Sequence, residues 1–177
     1  MRPELQRRFE AIERQRTALA GDALALGTAQ ADWTPGGGAW SVRQIVQHLV
    51  LSDETVGRAL PPGASASASP LFRALPRAWR RALVLGALRR DVALPLPSPA
   101  VEPVGDGSLS DWLARWEAAR GEMRLALDAL TGDEARYSHP VLGPLSGAQM
   151  LELSETHTAY HRRQAEALRR DPAFPRR

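Results

Sequence analysis

The chain has no cysteine, no lysine and no asparagine among its 177 residues. Without cysteine it forms no disulfide and no thiolate metal site, and any nucleophilic sulfur in its chemistry has to arrive with a substrate. Long apolar runs are missing too. Nothing approaches the roughly 18 residues that a membrane-spanning helix needs, so no membrane partner is expected. The opening stretch, MRPELQRRFEAIERQR, is charged where a secretory leader would be apolar, which makes the cytoplasm the expected compartment.

The missing lysines mean that all 23 basic residues are arginine, in a chain of net charge +3. That pattern reads as a GC-rich coding bias. A nucleic-acid surface calls for a basic stripe with interleaved aromatics. The nearest candidate is residues 72–90, FRALPRAWRRALVLGALRR, with six arginines and no acid. It reads first as a solvated, arginine-rich surface helix and second as a contact for phosphate or acidic lipid. No nucleic-acid partner is expected.

What is present is enough apolar content, 44%, to bury a core in one domain spanning residues 1–177. The periodicity is helical throughout. Leu5, Phe9, Ile12, Leu19, Ala23 and Leu26 step by about one or two turns, predicting a first helix over Pro3 to Leu26. Arg16 falls in the gap of that stripe, either snorkelling at its edge or reaching into a pocket to hold an anion. DWTPGGGAWS then stops the chain. Ser41 and Gln44 form a capping box that starts a second helix, predicted to run to about Leu60 before Pro61-Pro62-Gly63. A third helix is expected from Ser108, with Trp112, Trp116, Ala119, Met123, Leu127 and Leu130 on its stripe, ending at Thr131-Gly132-Asp133. A fourth opens at Ser146 with S-G-A-Q and runs to Arg170, where Asp171-Pro172 closes it. Between helices two and three lie GASASAS, a shorter helical pattern over 70–90 and a Pro-rich return. The predicted fold is therefore all-α: a four-helix bundle with a long, partly helical connection between helices two and three, and no strand pattern. The turns at 27–40 and 131–145 are expected to make helices one and two, and three and four, antiparallel neighbours. The long connection is expected to form a lid or wall beside the site.

Two of the four histidines sit in HTAYH, four residues apart. On helix four the line Met150, Leu153, His157, His161, Gln164, Leu168 steps by three or four, so both rings face the apolar side, one turn from each other. This is the spacing by which a helix presents two ligands to a metal, although Thr158 stands where a zincin motif needs glutamate. His48, in the middle of helix two between Ile45 and Leu49, is the better third ligand. His139 precedes Pro140 in what reads as a loop. The plainer alternative is a satisfied polar cluster in the core.

The stretches WSVRQIVQHL followed by Asp53 and Glu54, then HPVLGPLSGAQML and HTAYHRRQ, occur in an order and spacing that resembles the DinB-like (YfiT-like) metalloenzyme superfamily. The resemblance implies a four-helix bundle with a long second connection. It also implies a divalent metal, Zn or Ni, held by His48, His157 and His161. Many members carry a further histidine just before the last ligand; here Tyr160 stands there.

Three neutral imidazoles leave open positions on such a metal, which is what catalysis requires. A bound metal lowers the pKa of a water or a thiol. Characterised members include S-transferases that use a low-molecular-weight thiol such as bacillithiol, mycothiol or glutathione, which implies a small-molecule electrophile as substrate. A metal-dependent hydrolase or isomerase and a non-catalytic metal-binding, stress-related bundle are the alternative readings. Gln164, Tyr160, Asp53 and Glu54 are the candidates for supporting a ligand or moving a proton, with ordinary packing or solvation as the alternative for each. Trp112, Trp116, Phe72 and Trp79 are more aromatics than one narrow core holds, so a homodimer is expected.

Overall fold

The computed structural model describes residues 1–57, 70–104, 106–132 and 135–176. The expected end of helix two near Leu60, the GASASAS stretch and Asp133 lie outside these residues. The chain is mostly helical. Four long helices, α1 (Pro3–Leu24), α3 (Val42–Gly57), α6 (Leu109–Asp128) and α7 (Gly147–Arg170), pack on one another. Shorter pieces lie between them: α2 (Thr28–Ala31), α4 (Pro70–Ala74), α5 (Arg77–Arg89), a 3-10 turn (Pro99–Val101), and strands β1 (Ala135–His139) and β2 (Gly143–Ser146).

The helix starts are where the capping residues place them. Ser146 Oγ accepts from the Gln149 N–H while Gln149 Oε1 accepts from the Ser146 N–H, closing a full capping box on α7. Ser41 and Gln44 do the same on α3. Ser108 caps α6 through the Asp111 N–H. Each box satisfies two of the amide donors that a helix N-terminus leaves unpaired. Gly147, the first residue of α7, lies so close to α6 that a Cβ there would stand 2.7 Å from Leu130 Cδ1.

Two expectations need correcting. The stretch before α7 is an antiparallel hairpin, with Tyr137 opposite Leu145 and His139 opposite Gly143. Its strands are too short for alternation to show in the sequence. Gly143 takes a left-handed φ of +79° at the turn, where a side chain would be strained. The packing partners also differ. The most extensive contacts are α3 with α6 and α1 with α7; the sequence neighbours α1 and α3 touch more sparingly. The connections carry structure of their own, α2 in one and the hairpin in the other, so they are long enough not to force adjacency.

The core has two apolar clusters, one around Phe9, Met123, Tyr137 and Met150, the other around Leu19, Ile45, Trp116 and Ala165. Along every long helix a polar interval separates them. On α1 it is the gap in the stripe. Arg16 bridges Glu13 and Glu117 at 2.9 and 2.6 Å, so it serves a surface ion pair at the stripe's edge. On α6 it is Arg120, 1% exposed, whose Nε donates to Glu13 at 2.6 Å and whose Nη1 stands 3.7 Å from Asp53. Trp116 Nε1 donates to the same Asp53 carboxylate at 2.8 Å. Arg120 also lies over the Phe9 ring, 4.3 Å from its centre. Three helices are thus tied by one buried cation. Truncating Arg120 to alanine leaves Asp53 with only an indole donor in a desolvated site. The expected loss is about 3–5 kcal/mol, read from urea unfolding at neutral pH; a loss under about 1 kcal/mol would show that the cluster does not hold the helices together.

Candidate metal centre

His157 and His161 project from adjacent turns of α7, and His48 faces them from α3. His48 Nε2 lies 3.1 Å from His157 Nε2, and His161 Nε2 lies 3.0 Å from the same atom. The three candidate ligand atoms all fall within 4.8 Å of one another. Nitrogens bound to one zinc at its usual bond length stand about 3.3 Å apart, so the set is close to the spacing a metal needs.

The tautomers decide what such a cluster can hold. His48 Nδ1 lies 2.7 Å from the Val101 carbonyl, which can only accept, so that nitrogen carries the ring proton. His161 Nδ1 lies 2.7 Å from Gln164 Oε1. With Oε1 facing the ring, the other end of the Gln164 amide donates to the Tyr160 hydroxyl at 2.8 Å. His161 therefore also carries its proton on Nδ1. Both rings turn an unprotonated Nε2 toward His157, which can donate at most one proton to the pair. At least one contact is lone pair against lone pair. A cation shared by the three nitrogens relieves that repulsion, and the donor set fits a divalent metal. The Val101 carbonyl and the Gln164 amide do what outer partners do at metal sites: they orient the ring and raise its basicity.

Burial keeps these rings neutral, the form that binds metal. It pushes His161 down to about 3, with the neighbouring His48 adding to the effect and the bond to Gln164 opposing it. His157 is lowered well below its ordinary value by burial and then by the other histidines. His48 is lowered by burial against the opposing pull of the Val101 carbonyl.

The residues singled out from the sequence divide clearly. Gln164 and Tyr160 join the centre as a relay behind His161. Asp53 lines the adjacent cavity, but its carboxylate is bonded to Trp116 and faces Arg120. Glu54 points away and forms a two-point pair with Arg115, at 3.0 and 2.9 Å. His139 ends β1. Its Nδ1 accepts from the Val141 and Leu142 N–H groups, so the side chain caps the hairpin turn. Its ring lines the cavity, and burial lowers it to about 4. Two contributors went unnoticed in the sequence. Trp40 packs on both His161 and His48, with ring centres 5.9 and 4.7 Å away; its place just before the Ser41 cap was the available signal. Val101 acts through its backbone carbonyl, which no side-chain pattern reports.

The histidines stand on the wall of a cavity of about 1020 Å³. Its other walls come from α5, the return segment from Ala93 to Val101, and the hairpin. The long connection is thus a wall of this cavity, as expected. The arginines of α5 are its fasteners: Arg80 donates to the Val141 carbonyl, and Arg81 and Arg89 reach Glu152 on α7.

The lowered histidines fix the sign of a pH effect. The unfolded chain takes up protons near pH 6.5 that the fold excludes, so the metal-free protein loses stability as pH falls from about 6.5 toward the folded values. For His161 the slope is about 1.4 kcal/mol per pH unit across that window. Asp53 acts in the opposite sense, because burial raises its carboxyl and its contribution is lost as pH rises through the raised value. Thermal melts of metal-free protein between about pH 7 and pH 4.5 should show a falling Tm; a flat or rising profile would mean that the rings protonate within the intact fold.

Comparison with protein-family models gives a match to the DinB superfamily over residues 11–165. Neither the curated proteins nor the solved structures yield a match. The matched span begins in α1 and ends in α7, and it takes in His48, His157 and His161. The chain belongs to the DinB superfamily.

Proposed function

We propose that this protein is a metal-dependent enzyme of the DinB superfamily, a thiol-dependent S-transferase in one four-helix-bundle domain. His48, His157 and His161 hold a divalent Zn or Ni ion. The observation that carries this reading is the set of three converging imidazole nitrogens, two with their protons committed elsewhere, on the wall of a cavity large enough for a small-molecule substrate.

The metal, when bound, lowers the pKa of a thiol so that the thiolate is available near neutral pH. The thiol proton passes to solvent. Its sulfur forms a bond to an electrophilic carbon, and the leaving group departs with the electron pair of the broken bond. The chain's own residues prepare this step. Val101 and Gln164 hold two rings in the metal-binding tautomer. Trp40 and Tyr160 pack against the rings and keep water from their flanks. Tyr160 accepts from Gln164, which leaves its hydroxyl proton free to donate to a substrate oxygen or to a departing anion.

Elemental analysis of the purified protein should find about one metal per chain. His48→Ala, His157→Ala and His161→Ala should each lose it, while His139→Ala keeps it. In the metal-loaded protein a low-molecular-weight thiol should raise Tm, and the shift should vanish after chelation. Unchanged metal in all three variants would remove the metal site. Metal binding with no thiol-dependent shift would leave a metal-binding bundle without the transferase.

The chain is also proposed to pair. Trp112 and Trp116 are both buried within the chain, and Phe72 lines the cavity, so the aromatic surplus that suggested pairing shrinks to Trp79. Trp79 is 67% exposed beside Leu83 on α5 and is the surface on which a dimer would form. Light scattering should give twice the 19.3 kDa chain mass, falling in Trp79→Ser; a monomer mass at every concentration would rule the dimer out.

A further inference from the structure

All 23 basic residues of this chain are arginine, yet among the described residues none lines the cavity beside the histidines. The arginines near it are turned outward or spent on partners. Arg81 and Arg89 pair with Glu152, Arg163 pairs with Asp91, and Arg115 pairs with Glu54. What faces the cavity is mainly aliphatic: Val56 on α3, Leu88 on α5, Leu96 on the return segment, Leu145 on the hairpin, and Met150 and Leu153 on α7.

The polar groups on the same wall are neutral or engaged. Thr55 donates to the Leu51 carbonyl. Gln164 and Tyr160 are bonded to each other. The one carboxylate, Asp53, is an acceptor already held by Trp116, and it would repel an anion. Away from the histidines an anionic ligand would lose its hydration and, among the described residues, meet no cationic side chain, a penalty of several kcal/mol in an apolar environment. A neutral apolar ligand meets the opposite situation, since every aliphatic wall it covers leaves water. The volume of about 1020 Å³ lies at the upper end of small-molecule sites and suits a body of drug size rather than a two- or three-carbon electrophile.

We infer that the substrate held by this cavity is an uncharged, predominantly apolar molecule of two or three rings or an equivalent chain. Its reactive end lies at the histidines and its body lies against α5 and the return segment. This rests on the reading of the cavity as the substrate chamber of the histidine centre.

A matched pair of fluorescent probes tests it. N-phenyl-1-naphthylamine and 8-anilino-1-naphthalenesulfonate share one skeleton and differ by a sulfonate. Titrated into metal-free full-length protein, the neutral probe should bind one per chain with a Kd about tenfold or more below that of the sulfonate. Ala87→Phe, which fills the α5 wall, should weaken the neutral probe about tenfold. Ser154→Arg, which places a guanidinium on the α7 wall, should narrow or reverse the preference, and it provides a second test if the first variant fails to fold. Trp79→Ser should change neither affinity.

Equal or tighter binding of the sulfonate by the unaltered protein would overturn the inference. So would an unchanged preference in both wall variants, or loss of binding in Trp79→Ser, which would place the probe on the exposed face of α5. Metal content is measured separately. A histidine-dependent metal with no preference for the neutral probe sinks this inference alone, whereas a neutral-probe preference without metal sinks the metal reading and leaves an apolar binding chamber.

Discussion

Two histidine protons, each committed to an acceptor behind the ring, set the character of the centre. His48 gives its proton to a carbonyl of the long connection, and His161 gives its proton to a glutamine one turn further along its own helix. Neither proton is then available to the space between the three rings. The facing nitrogens stand about as close as hydrogen-bonded partners but lack the protons to bond fully. Burial prevents protonation from filling the gap, since charging a ring there means charging it without water. A cation shared by the three nitrogens would relieve the repulsion, and the hydrogen bonds around the site leave those nitrogens free to hold one.

The same bonds tie the site to the rest of the chain. Val101 is presented by a short 3-10 turn whose start is capped by Ser98. The connection between α3 and α6 therefore touches the histidine centre through Val101 and also walls the cavity. Its helix α5 is held by arginines to Glu152 and to the hairpin carbonyl at Val141. A segment that could have been a mere linker is anchored at α5 and at Val101 and shapes the space in front of the histidines.

The buried titratable side chains of the helical core, among the described residues, fall into two devices. One is the Arg120, Asp53, Glu13 and Trp116 cluster, which joins α1, α3 and α6. The other is the histidine centre, which joins α3 and α7. Asp53 and Arg120 on α3 and α6, and His157 and His161 on α7, lie between the two apolar clusters along their helices, whereas His48 stands within one of them. Buried ionic groups add little to stability relative to well-packed apolar ones. They are intolerant of losing a partner, and that intolerance holds the helices in one register.

Much of this was legible in the residues themselves. Capping serines with a glutamine three positions on marked the starts of α3 and α7, because the device is local and its geometry follows from spacing. Helical period placed His157 and His161 on one inward face for the same reason, and His48 on another. The family resemblance rested on those same stretches, and the family match bears it out. The hairpin, the packing of α1 on α7, the role of Val101 and the outward turn of Glu54 were decided only in the tertiary structure. Each depends on which distant backbone or side chain comes near, and spacing along one helix carries no such information. Asp53 shows the difference most directly. The sequence offered it as a candidate for supporting a ligand or moving a proton, whereas the packing of α6 supplied an arginine and a tryptophan that claimed the carboxylate.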